Sequence, residues 1–86
     1  ARARAEHLAA RGYGNEWIRA DLEAQGVAAE TAGDALAGLE PEAERGLREW
    51  AKLRGGLGAA RTLARRGFAE ETVESLLAQD PSTGVG

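Results

Sequence analysis

One histidine, two serines and no cysteine leave this chain few routes to covalent chemistry. His7 has no second histidine or cysteine with which to share a metal, and on a polar helix face it reads as a surface residue. Ser75 and Ser82 have no base at a recognisable spacing. Gly55-Gly56-Leu57-Gly58 lacks the Gly-Lys-Ser/Thr ending of a phosphate loop and no strand precedes it, so it reads as a turn between helices. Gly12-Tyr13-Gly14 lacks the strand and third glycine of a dinucleotide fingerprint. The carboxylates have helix-start or solvated-face explanations. No catalysis, metal or cofactor is expected.

Charge is more informative. Between Arg45 and Arg66 stand seven basic residues (Arg45, Arg48, Lys52, Arg54, Arg61, Arg65, Arg66) and one acid, Glu49, a local balance of +6. The i, i+3, i+7 spacing of Arg45, Arg48 and Lys52 predicts one exposed helical face, and Arg61 and Arg65 pair at i, i+4. Arg4, His7 and Arg11 repeat the idea weakly near the start. Such a face is either solvated or meets an anionic partner, a nucleic acid or an acidic protein surface. The overall net charge of −3 argues against an unaided, general DNA binder.

The elements that must position these residues are helices. At 86 residues the chain is one small domain's worth, 43% hydrophobic but mostly through alanine, and no run is long enough to cross a membrane. Val, Ile and Thr are too scattered for strand alternation. Six helices are predicted: about 2–11, after an Asn15 cap as far as Gly26, about 29–39, 41–54, 58–66 and 70–79. Ile18 with Leu22, Ala32 with Ala35, Leu36 and Leu39, Leu47 with Trp50, and Val73 with Leu76 and Leu77 form their apolar stripes. Trp17 is expected to be at best half-buried. Residues 80–86 have nothing to bury and read as a flexible tail. The chain opens at Ala1 inside a helical stretch, which suggests a further part upstream.

Residues 7–25 laid over 62–80 give six identities in nineteen positions, among them Arg11/Arg66, Gly12/Gly67 and Leu22/Leu77. A shorter echo follows Gly26. The shared unit is Gly, apolar, any, any, Glu. A left-handed glycine ends one helix, the apolar residue folds back, and the glutamate enters the first turn of the next. The expected fold is all-α: two tandem three-helix repeats, residues 1–39 and 40–79, in an elongated, curved stack.

The stretch Arg11-Gly12-Tyr13-Gly14-Asn15-Glu16-Trp17-Ile18-Arg19-Ala20-Asp21-Leu22, running on to Gly26-Val27, resembles the signature of the RecX regulatory family. Leu63-Ala64-Arg65-Arg66-Gly67-Phe68, with Glu71 and Val73, resembles that family's closing repeat. Asn15 departs from the proline often found there, and the linker between the repeats is short and rich in alanine. The resemblance implies a protein without enzymatic activity, built from the second and third of three helical repeats; a chain with no cysteine is placed by default in the cytoplasm, and a monomer is expected. It further implies binding to the RecA recombinase filament on single-stranded DNA, with restraint of strand exchange and ATP hydrolysis in recombination and DNA repair. Applied to the matching helices, the charge argument nominates Arg4, Arg11, Arg45, Arg48, Lys52, Arg54, Arg61, Arg65 and Arg66 as partner contacts. Two other readings stand beside it: a three-helix interaction module of the ubiquitin-associated type, and a small helix-turn-helix DNA-binding protein.

Overall fold

A computed structural model describes residues 1–81. Six helices follow one another: α1 (Arg2–Ala10), α2 (Asn15–Ala24), α3 (Ala29–Ala37), α4 (Glu42–Lys52), α5 (Gly56–Arg65) and α6 (Glu70–Gln79), with no strand among the described residues. The molecule is all-α and elongated, 47 × 17 × 16 Å.

Alanine and leucine at helical spacing let these short helices approach closely, and the core they build falls into two clusters. Ala5, Leu8, Ile18, Leu22, Ala32, Ala35 and Leu36 join α1, α2 and α3. Trp50, Ala59, Ala60, Leu63, Phe68, Val73 and Leu76 join α4, α5 and α6. Neither cluster is large, so a single buried leucine is a sizeable share of either one.

Three helix ends close as expected. Gly12, Gly26 and Gly67 take φ of 94°, 90° and 86°. In each turn the next residue's amide bonds back five residues, Tyr13 to Leu8, Val27 to Leu22 and Phe68 to Leu63, at 3.0–3.2 Å. The apolar residue is thereby folded onto the last turn, and Phe68 is buried.

Several expectations need correction. Gly14, not Asn15, is the N-cap of α2, because Asn15 already has helical geometry. Helix α5 begins at Gly56, so Gly56-Leu57-Gly58 is its first turn rather than a linker. Leu47 is 56% exposed; Gly46 and Trp50 supply the inward face of α4, and Leu47 falls beside it. Leu77 is only partly buried, since α6 turns Val73 and Leu76 inward. Asp80 is hydrogen-bonded to α4 and α5, so the start of the expected tail is fastened down; residues 82–86 lie outside the described residues.

The internal echo also has a more specific meaning. An offset of 55 residues lays α1–turn–α2 over α5–turn–α6, so it relates two helix pairs, not the leading helices of the two halves.

Candidate functional site

The two echoing turns face each other where the clusters meet. Gly14 N–H donates to the Arg66 carbonyl at 2.8 Å, and Glu16 N–H donates to the Gly67 carbonyl at 3.0 Å. The backbones pack so closely that a Cβ on Gly14 would lie 2.5 Å from the Gly67 carbonyl, and one on Gly67 would lie 2.5 Å from Trp17 N. Glycine at 14 is needed for this approach, and at 67 for both the approach and the left-handed turn. Next to the joint, Tyr13 and Trp17 stack with ring centroids 4.0 Å apart and planes inclined by 15°. Trp17 stays 36% exposed.

A charged pair from the start of α4 fastens the joint. The Glu42 carboxylate accepts from Asn15 N–H at 2.8 Å, Ala69 N–H at 3.2 Å and Thr72 Oγ1 at 2.7 Å. One carboxylate thus meets the N-terminal amides of both α2 and α6, where the helix dipoles favour negative charge. Arg45 is 5% exposed. Its guanidinium donates to the Glu40 carbonyl at 2.9 Å, the Tyr13 carbonyl at 3.1 Å and Asn15 Oδ1. Burial holds its pKa below the usual arginine value, opposed only in part by the Coulombic fields of Glu42 and Glu40.

The nine nominated basic residues therefore do not form one surface. Arg45, expected on an exposed face, points inward, because the carbonyls of the Tyr13 and Glu40 turns need a donor at the position α4 supplies. Arg48 is held by Glu40, with one contact at 3.1 Å. Lys52 and Arg66 both reach Glu49, at 3.3 Å and 3.2 Å. Arg4 grips Asp21, with one contact at 3.0 Å. The local balance of +6 overstated the free charge: Glu40 lies just upstream of the counted stretch, and Glu49 inside it serves two cations.

What stays open is narrower. Arg11, Arg54, Arg61 and Arg65 are exposed and have no carboxylate within ion-pair distance among the described residues. Arg65 donates a hydrogen bond to Thr62 Oγ1 at 3.4 Å. Three of the four flank or belong to α5, whose outward face also carries Leu57, 61% exposed. That exposed leucine was legible only as part of a turn, so its place beside Arg61 was missed. Glu42 and Asp80, both structural anchors, were missed because their partners lie 24–30 residues away in sequence.

Clefts are shallow. One of about 280 Å³ lies between α1, the turn before α4 and α4, lined by Glu6, Leu39, Glu40 and Arg48 among others. Another of about 190 Å³ lies between α4 and α6 beside Leu47 and Leu76. Glu44 and Ser75 both line the second cleft, but the hydrogen bond recorded at Ser75 Oγ comes from Gln79 Nε2 at 3.2 Å, not from a carboxylate. No group of three metal-ligating side chains occurs among the described residues, and no helix is long and apolar enough to cross a membrane. Comparison with protein-family models, curated proteins and solved structures finds no match in any of the three.

Proposed function

We propose that this chain is a regulatory binding protein of the RecX type, acting in the cytoplasm on the RecA recombinase filament assembled on single-stranded DNA. It works by contact, restraining ATP hydrolysis and strand exchange, with no covalent step of its own. The observation that carries the reading is the joint itself. The two sequence elements that resemble the family, 11–27 and 63–73, meet turn against turn through Gly14, Glu16, Arg66 and Gly67. An elongated helical body with free arginines at one edge suits a filament groove, where several protomers can be touched at once.

The direct test is RecA's DNA-dependent ATPase with the chain added in increasing amounts. Hydrolysis should fall saturably, and strand exchange should slow in parallel. Unchanged hydrolysis and unchanged strand exchange at high excess would dismiss the proposal.

A further inference from the structure

Four helix ends in this chain close by one backbone pattern, and one of them breaks its residue rule. In three turns the left-handed slot holds Gly12, Gly26 or Gly67. At the end of α4 the same bond runs from Gly55 N–H to the Trp50 carbonyl at 2.9 Å, yet the slot holds Arg54, with φ of 68°. A side chain there crowds its own backbone, which is why glycine usually fills it. Glycine stands at 55 and 56, one position late. The arrangement is clamped from just past the end of α6: the Asp80 carboxylate accepts from Trp50 Nε1 at 2.6 Å and from Gly56 N–H at 2.9 Å.

What the strained turn presents is a guanidinium in water at the start of α5. On that helix Leu57, Arg61 and Arg65 follow at i, i+4 and i+8, along the face opposite Ala59, Ala60 and Leu63. An exposed leucine set among unpaired arginines is the composition of a docking edge, an apolar anchor with a cationic rim.

We infer that Arg54, Leu57, Arg61 and Arg65 dock on an acidic protein surface that offers a pocket for Leu57, and that Asp80 is the positioning residue that holds Arg54 in place. This rests on the reading of the chain as a filament-binding regulator, and assigns the edge to recombinase protomers rather than to DNA. The arginines alone would suit carboxylates or phosphates equally. A phosphodiester backbone, however, offers nothing to a leucine, and a chain of net charge −3 is poorly drawn to a bare polyanion.

The experiment measures affinity for RecA filaments on single-stranded DNA, and for the same DNA without protein. It compares the parent with R54G, L57S, the R61E/R65E pair, D80N, and R19E as a charge control on α2. R54G should melt no lower than the parent, because glycine suits the slot, yet its filament affinity should fall about fivefold. L57S and the arginine pair should each lose about tenfold or more, an ordinary hot-spot loss. R19E should stay within about twofold, as expected of a surface charge outside the contact. D80N should weaken binding in the parent but cost nothing further in the R54G background, where no Arg54 remains to be held; a merely structural Asp80 would cost affinity in both. Filament binding by the parent with R54G and L57S unaffected would overturn the inference and leave the proposed function standing. Absence of filament binding by the parent would remove both. Equal losses on naked DNA would show that the edge contacts nucleic acid, and the inference would fail.

Discussion

Arg45 shows how far one side chain can depart from what its spacing suggests. Its neighbours at 48 and 52 keep their charges near solvent, but its own guanidinium supplies three hydrogen bonds to two turns. Arg45→Ala would leave the Tyr13 and Glu40 carbonyls and the Asn15 amide oxygen without this donor. A loss of about 2–4 kcal/mol is expected in a urea melt. A loss below about 0.5 kcal/mol, the range of ordinary surface changes, would mean the side chain is not buried in solution. Charge reversal meant to probe partner binding must therefore leave Arg45 intact. The exposed pairs make a different, pH-dependent contribution. Hydrogen bonds from Arg4 and Arg48 hold the Asp21 and Glu40 carboxyls below the usual carboxylate range. A depressed folded-state pKa gives stability that is present above the unfolded value, near 4, and lost as pH falls through the folded value. Melting temperatures should thus be flat from pH 7 to about 5 and drop below about 4, less steeply in the D21N/E40Q double variant. An equally steep drop in that variant would assign the acid sensitivity elsewhere.

At the scale of elements, the helices and their glycine stops were readable because each rests on contacts within five residues. The rotation of each helix was less readable. Leu22 and Leu77 align in the echo, yet Leu22 is fully buried while Leu77 is only partly so. Two adjacent leucines at 76 and 77 let α6 turn either inward, and only packing against α4 and α5 decides between them. Leu22→Ala should accordingly cost about 2–4 kcal/mol, and Leu77→Ala about 1 kcal/mol. Equal losses at the two sites would contradict this rotation. The joint was the least legible feature: its carboxylate and guanidinium belong to α4, but the amides and carbonyls they serve lie in distant turns. Charge counted along the sequence could not see that Glu40, Glu42 and Glu49 already serve the cations and helix ends around them. Of nine basic residues nominated from sequence, four are ion-paired and Arg45 is buried against carbonyl and amide oxygens, which leaves four exposed without an ion partner among the described residues.

Taken whole, the molecule is two small apolar clusters held in line by a polar joint, with an arginine-rich edge at α5. Under the proposed function such a body would span neighbouring subunits of a filament and resist their movement. The proposed function requires a preference for the protein filament over the DNA it encloses. The most direct measurement is fluorescence anisotropy of the labelled chain, titrated in parallel with RecA filaments on single-stranded DNA and with the same DNA alone, at low and at physiological salt. The account expects saturable binding to the filament that weakens as salt rises, and affinity for bare DNA at least about tenfold lower at physiological salt, where a net negative chain gains little from counterion release. Binding to bare DNA as tight as binding to the filament would contradict it and place the chain among unaided DNA-binding proteins.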